Sequence, residues 1–482
     1  MFTPTMFASI LPEILILILG MLVLIIEPFL KNEQRRNVGW LTAGGLLAAM
    51  VISFLFGQPG EPVTTLGGMV RFDWLGFFFK MLFMFAGAAT ALLFIDNEKV
   101  GHRGEAYLLL LASLLGMNLM AASADLVMLY LAIETTSIPL YVLSGFMLGD
   151  AKSTEAGFKY LLFGALTSTI MLYGFSLVFG FTGTTDIYQL AGMLQTGGLS
   201  VAGAFGVLAL ILVGIGFKVS IVPVHFWAPD VYEGAPTPVA GFLSTASKAA
   251  GFAVLVRLFF VAFPDLSQSW TMVLAILSAI TMTVGNLLAL PQTNIKRLVA
   301  YSSVAHAGYA LIGVVALTQL GAASVVFYLA AYIATNLLAF GIIMAFSRVT
   351  GLEDLKDYAG MSRRNPALAL MMLAAFLSLA GMPPFAGFVA KVFVFAAGVQ
   401  AGYVWLVIIG ILNSIIGVYY YLNALKYVYL YRMPEQDEEN HPVPLTRSYA
   451  IALGVLAIGV ILIGTLFAPW FSWSDAAALN LF

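Results

Sequence analysis

Apolar runs of about twenty residues recur along the whole chain, and each is long enough to cross roughly 30 Å of hydrocarbon. Fourteen can be drawn, near residues 9–30, 37–56, 74–95, 105–122, 126–148, 158–181, 201–224, 237–262, 270–290, 298–318, 322–347, 367–397, 402–431 and 449–470. In lipid the backbone must satisfy its own polar groups, so runs of this kind form helices packed into a bundle. Composition agrees. Of 482 residues, 61% are hydrophobic and 10% charged, against about 25% charged in a soluble domain. The expected fold class is an all-α membrane protein, one polytopic domain over 1–482, rather than the several soluble domains that length alone would suggest.

Charge and cysteine content narrow the function classes. A formal net charge of −2 offers no basic surface for nucleic acid. The chain has no cysteine, so it carries no disulfide, iron–sulfur cluster or thiolate metal site of its own. The segment MFTPTMFASILPE lacks a positive n-region and a small-residue cleavage site, and reads as a retained first span. With the N-terminus outside, basic residues from Lys31, Arg35 and Arg36 through Lys296 and Arg297 to Arg432 and Arg447 gather on the inner side, leaving Arg71 in an outer loop. The positive-inside rule then puts both termini outside.

Four spans carry ionisable groups well inside them: Glu134 in LYLAIETTSIPLYVL, then Lys218, Lys248 and Lys391. Each ionised group at mid-membrane costs about 2.5–3.5 kcal/mol. One reading is structural, as a buried ion pair that fixes packing or a lysine that snorkels to the interface. The other is functional, and the surroundings favour it. Lys248 has Ser244 and Thr245 one turn below; His306 has Ser302, Ser303 and Tyr309 on its face; Glu134 precedes Thr135, Thr136 and Ser137. Hydroxyls at such positions can hold water between helices, and water with titratable groups is what proton conduction needs. An isolated histidine would more often be a packing residue. Arg257 reads as snorkelling to the outer edge, and Lys80 has no account at this level.

The prolines single out two spans. Pro223 cannot donate to the carbonyl of Val219, so the helix breaks beside Lys218; Pro383 and Pro384 break the span that carries Lys391. An ordinary proline kink is the plain alternative. Irregular backbone at membrane depth is tolerated where it lines a hydrated cavity, and transporters put ion sites there. The broken spans are the seventh and twelfth. An odd offset of five reverses direction, the mark of an inverted repeat.

The stretches GIGFKVSIVPVHFWAPDVYEGAPTP, QTNIKRLVAYSSVAHAGY and LSLAGMPPFAGFVAKVFVF closely resemble the antiporter-like membrane subunits of proton-pumping NADH:quinone oxidoreductase, respiratory complex I. PDVYEGAPTP and YYYL are most similar to the N-type members. Lysine at position 391 departs from the M type, and no lateral arm of the L type is expected after LNLF. The resemblance covers nearly the whole chain. It implies fourteen helices with two inverted five-helix repeats and discontinuous helices 7 and 12. The chain would divide into 1–103 (helices 1–3), 104–262 (first repeat), 263–432 (second repeat) and 433–482 (loop and helix 14). It further implies a proton-transfer chain of Glu134, Lys218, Lys248, His306 and Lys391, in which Glu134 forms an ion pair with Lys218. No cofactor is expected on this chain; FMN, iron–sulfur clusters and quinone are expected on partner subunits. The expected partners are the other membrane and peripheral subunits, neighbouring antiporter-like subunits among them, in a bacterial plasma (inner) membrane. The alternative is a subunit of a multi-subunit Na+/H+ antiporter, which shares the fold without a redox partner. A solute carrier would need a central substrate cavity, whereas these charges are spread over several helices.

Overall fold

The computed structural model describes residues 3–31, 34–97, 99–196, 201–264, 267–432, 443–479 and 481. Residues 433–442, in the loop expected before the last span, lie outside them. The first six spanning helices are α1 (Leu11–Ile26), α2 (Asn37–Phe56), α3 (Trp74–Phe94), α4 (Gly104–Ala122), α5 (Leu126–Ser144) and α6 (Ala151–Thr182). The seventh is split into α7a (Val201–Val219) and α7b (Trp227–Gly234). Then come α8 (Thr237–Ala262), α9 (Ser267–Ala289), α10 (Ile295–Val315) and α11 (Gln319–Thr350). The twelfth is split into α12a (Pro366–Ala380) and α12b (Ala386–Gln400), and α13 (Val404–Tyr429) and α14 (Arg447–Thr465) complete the bundle. Among the described residues, 12 helices are long and apolar enough to cross a membrane unbroken. With the two split helices they make the expected all-α, multi-pass architecture. Helix α7b lies between the expected spans 201–224 and 237–262. The fourteen expected spans also leave out a hairpin, β1 (Val63–Thr65) with β2 (Val70–Phe72), and a last helix, α15 (Phe467–Leu479).

The two halves match residue by residue. Asp125 caps α5 by accepting from the amides of Val127 and Met128, and Asn294 caps α10 through Lys296 and Arg297. Each cap residue also pairs antiparallel with the segment that follows the next helix, Asp125 with Asp186 and Asn294 with Asp354. Helices α6 and α11 are both 32 residues long, and both end on a left-handed glycine, Gly183 and Gly351. Gly116 and Gly285 stand at the same distance before the two caps. A Cβ on Gly116 would lie 2.4 Å from the Thr136 amide, and one on Gly285 would lie 2.5 Å from the Ala305 amide. Thr136 and Ala305 occupy matching positions after the caps. These glycines let α4 approach α5, and α9 approach α10, at one shared register.

The breaks share a cap as well. After α7a, Ser220 takes a left-handed conformation (φ 62°), and the Ile221 amide reaches back to the Gly216 carbonyl at 2.8 Å. After α12a, Gly381 does the same (φ 84°), and the Met382 amide reaches the Leu377 carbonyl at 2.9 Å. Proline follows at the same distance in each, Pro223 and Pro384. On this register Lys218 lies before its break and Lys391 after its own, so the lysines stand on opposite halves.

Burial separates axis from rim. All of the apolar window of α8 is buried, and 94% of those of α10 and α11, against 33–44% for α1, α2, α6, α9, α13 and α14. The rim helices leave much of their apolar surface exposed, and the axis carries Lys248 and His306.

Buried cations with carboxylate partners belong to the scaffold, Lys296 with Glu353 among them. Arg257 does not snorkel: its guanidinium is 2% exposed and grips Asp73 through both terminal nitrogens, at 2.7 and 2.9 Å. It also donates to the Ala121 carbonyl (2.8 Å) and to Tyr188. The planar fork meets a carboxylate next door, so nothing draws it to the interface. Lys80 pairs with Glu13 at 2.8 Å and donates to the Ser9 carbonyl. Breaking a buried pair from one side costs about 3–5 kcal/mol. Arg257→Met should therefore lower the thermal stability of the detergent-purified protein by about that amount, and the Arg257→Met, Asp73→Leu double variant should recover part of it in the same melting assay.

Candidate functional site

Lys218, Lys248 and Lys391 have a different environment from the ion-paired buried lysines Lys80 and Lys296, the latter held 2.5 Å from Glu353. Lys218, Lys248 and Lys391 are 6%, 1% and 5% exposed, and none lies within 4.0 Å of a carboxylate among the described residues. Lys218, at the end of α7a, donates to Ser137 on α5 at 2.8 Å. Gly251 lets α8 lie against its stem, since a Cβ there would sit 3.2 Å from Lys218 Cγ. Lys248, on α8, donates to the Ser303 carbonyl (2.7 Å) and hydroxyl (3.0 Å). Lys391, on α12b, reaches back across its break to the carbonyls of Leu379 (3.2 Å) and Ala380 (3.0 Å), and to Ser414 at 2.8 Å. Leu379 and Ala380 are the carbonyls that Pro383 and Pro384 leave without amide donors. Gly381 serves this reach twice: it takes the left-handed turn, and a Cβ on it would lie 2.8 Å from Lys391 Cδ.

His306, on α10, is a hub between tyrosines. Its Nδ1 shares a 2.6 Å hydrogen bond with Tyr328, and its Nε2 one of 3.3 Å with Tyr421. Tyr421 in turn bonds Ser302. The face read from the sequence is thus divided: Ser302 serves Tyr421, Ser303 serves Lys248, and Tyr309 sets its ring edge-on to His306 at 5.8 Å. The pair below Lys248 turns away from it. A π-helical stretch over Leu243–Ser247 sends Ser244 and Thr245 to the Gly241 carbonyl, with Ser244 also accepting from Asn336.

Glu134 departs most from expectation. It is half-buried on α5, and its carboxylate accepts from Ser168 on α6 rather than closing an ion pair with Lys218. Lys218 stands instead on Ser137, which is one turn along α5 from Glu134. The cap register explains the geometry. It aligns Ser137 with His306 and Glu134 with Ser303, so the lysine of the first repeat meets the helix position that carries the histidine in the second.

Tyr232 of α7b brings its hydroxyl close to Ser220, two residues after Lys218, and to Ser303, which holds Lys248, without closing a hydrogen bond to either. Asn336 Oδ1 is likewise buried and unbonded to protein. Sequence reasoning did not single out Tyr232, Tyr328, Tyr421, Ser414 or Asn336. PDVYEGAPTP and YYYL contain Tyr232 and Tyr421, but phenols have no fixed period along one helix that would mark them as a set. The carboxylates of PDVYEGAPTP serve another end. Asp230 holds Lys159 (2.5 Å) and Arg297 (2.9 Å), and Glu233 holds Lys152 (2.7 Å) and Arg297 (2.8 Å). This cluster ties α6, α7b and α10 together. Among the described residues no group of three or more His, Asp or Glu could hold a metal ion.

Split helices at matching places in two repeats, with lysines at membrane depth beside them, define an antiporter-like membrane protein. The family described as NADH:quinone oxidoreductase/Mrp antiporter matches residues 123–417. The chain is 44% identical to the NADH-quinone oxidoreductase subunit N of Moorella thermoacetica over 472 residues, 98% of either chain. It is 42% identical to that of Trichlorobacter lovleyi, covering 94% of this chain and 93% of the relative. It therefore belongs to the subunit N family of NADH-quinone oxidoreductases. Among solved structures, a chain of respiratory complex I from Thermus thermophilus matches with TM-score 0.79 and 31% identity, over 96% of this chain and 98% of that one. A chain of the Mrp complex from Dietzia matches with TM-score 0.84 and 22% identity, over 100% and 98%; that likeness is one of fold.

The ion cluster makes a direct prediction. Arg297→Gln removes the one cation that both carboxylates share, so hydrogen exchange in Trp227–Gly234 should accelerate while α8 keeps its protection. Unchanged exchange in α7b would show that the lysines alone hold it.

Proposed function

We propose that this chain is a proton-translocating membrane-arm subunit of NADH:quinone oxidoreductase, moving protons along Glu134, Lys218, Lys248, His306 and Lys391. One observation carries the reading: Arg257 and Lys80 have carboxylate partners, whereas Lys218, Lys248 and Lys391 are held by hydroxyls and carbonyls with no carboxylate partner among the described residues. An amine held this way can change charge without orphaning a buried carboxylate. The charged form donates up to three hydrogen bonds, and the neutral form keeps two and can accept one from a hydroxyl. The three can therefore exchange a proton at little cost to packing.

In this reading a proton enters near Glu134, whose charge acts on Lys218 across Ser137. Water joined to Ser220, Tyr232 and Ser303 would bridge Lys218 to Lys248. His306, between Tyr328 and Tyr421, passes the proton toward Lys391, which releases it on the outer side. Moving one charge against 100 mV costs about 2.3 kcal/mol, so the drive comes from electron transfer elsewhere in the complex. Flavin, iron–sulfur clusters and quinone belong to partner subunits in this proposal. Its setting is a bacterial plasma membrane with both termini outside, next to other antiporter-like subunits. The names of the curated relatives support it, as does the complex I chain at 31% identity.

The test is Lys218→Ala in the assembled complex. Proton pumping into vesicles should fall about tenfold or more, as for loss of a proton-transfer group, with assembly intact. Glu134→Gln should lower it less, since that carboxylate does not contact the lysine. Normal pumping by an assembled Lys218→Ala complex would remove the centre of the mechanism. Sodium-for-proton exchange by a particle without NADH:quinone reductase activity would instead favour the antiporter reading.

A further inference from the structure

The relay described above treats Lys391 as one more lysine, but its surroundings differ from those of Lys218. Its ammonium lies over the ring of Tyr309, 4.8 Å from the centroid, and the same ring meets His306. Tyr309 thus stands between the two proton-carrying groups of the second repeat. Its hydroxyl is held in turn by Asn286 on α9, a residue 1% exposed. Asn286 Nδ2 donates to Tyr309 at 3.1 Å and to the Met282 carbonyl at 2.8 Å, and Oδ1 accepts from Tyr420 at 3.0 Å. These partners fix both the amide orientation and the height of the Tyr309 ring.

The repeat shows that this is not required by the fold. The register that aligns Gly116 with Gly285 puts Met117 at the position of Asn286 and Leu140 at that of Tyr309. The first repeat carries apolar side chains at both positions, and Lys218 has no ring beneath it among the described residues. A polar side chain buried in a lipid-facing helix such as α9 is costly without a task. The ammonium donates to both carbonyls and the Ser414 hydroxyl, and a neutral amine can keep both carbonyls while accepting from that hydroxyl. The ring face is different, because its quadrupole attracts the cation and not the neutral amine.

We propose that Asn286 is a positioning residue that holds the Tyr309 ring under Lys391, so that the second repeat retains a proton where the first passes it on. The proposal rests on the relay reading above and adds a direction to it: the proton waits at Lys391, next to the carbonyls of the α12 break, until the break moves. Tyr309 supplies the face, and Asn286 keeps it in register.

The experiment compares variants in the assembled complex, measuring proton pumping into vesicles against NADH:quinone reductase activity and against the amount of assembled complex. Asn286→Ala and Tyr309→Phe should each lower pumping roughly two- to fivefold, the effect of misplacing one cation–π contact, at unchanged assembly. They cut the same tether, so the double variant should be no worse than either alone. Tyr309→Leu, which removes the face itself, should pump less than Tyr309→Phe. Additive losses, equal losses for Tyr309→Phe and Tyr309→Leu, or no loss at all would overturn the proposal. The Phe and Leu pair decides the matter even if Asn286→Ala fails to assemble. Lys391→Ala serves as the reference: normal pumping there would overturn the relay itself, whereas impaired pumping there with wild-type behaviour in the other variants would overturn only the role of Asn286 and Tyr309.

Discussion

A helix interrupted inside a hydrocarbon layer leaves backbone carbonyls that no water can satisfy, and this structure is arranged around that constraint. At the twelfth helix the carbonyls of Leu379 and Ala380 are freed by two prolines and taken up by the ammonium of Lys391. The break and the charge solve each other's problem: the carbonyls gain a donor, and the amine gains acceptors without a fixed counter-ion. At the seventh helix the same cap forms, but Lys218 lies on the near side and turns to Ser137. One backbone motif, used twice, leaves its lysine in two different settings.

The contrast among buried cations shows how scaffold and site are told apart. Arg257 and Lys80 sit with Asp73 and Glu13, and these pairs bind α3 to α8 and to α1. A pair of that kind is settled, because losing either partner strands the other. Lys218, Lys248 and Lys391 lie equally deep with neutral acceptors, and a side chain held so can be charged or not. The ionic cluster of Asp230 and Glu233 does scaffold work at the end of α7b, although it lies in the same short motif as Tyr232, whose hydroxyl is near Ser220 and Ser303.

The order of spans, the broken seventh and twelfth helices and the positions of the interior charges were all legible in the chain, because each depends on local chemistry: run length, proline and lone charges in apolar surroundings. The partners of those charges were not. Ser137, Ser303, Tyr328 and Tyr421 are ordinary hydroxyl residues, and nothing in their spacing says which helix they face. The pairing of Glu134 with Lys218 and the snorkelling of Arg257 were wrong for the same reason. Each depended on what stood across a helix interface: Ser168 and Ser137 in one case, Asp73 in the other.

By itself the sequence determined that the chain is a bundle of membrane helices with two breaks and a set of interior lysines, since a bilayer admits few other uses for such runs. The odd offset between the breaks pointed to a repeat, which the matching caps and glycine contacts of the two halves then bear out in the structure. The tertiary structure alone decided which lysines have counter-ions, and it alone aligned Ser137 with His306 and set Met117 and Leu140 against Asn286 and Tyr309. Side-chain partners across helices follow from rotation and depth of packing, and those are set by glycine contacts such as Gly116 on Thr136 and Gly285 on Ala305, which become visible only once the helices are placed side by side.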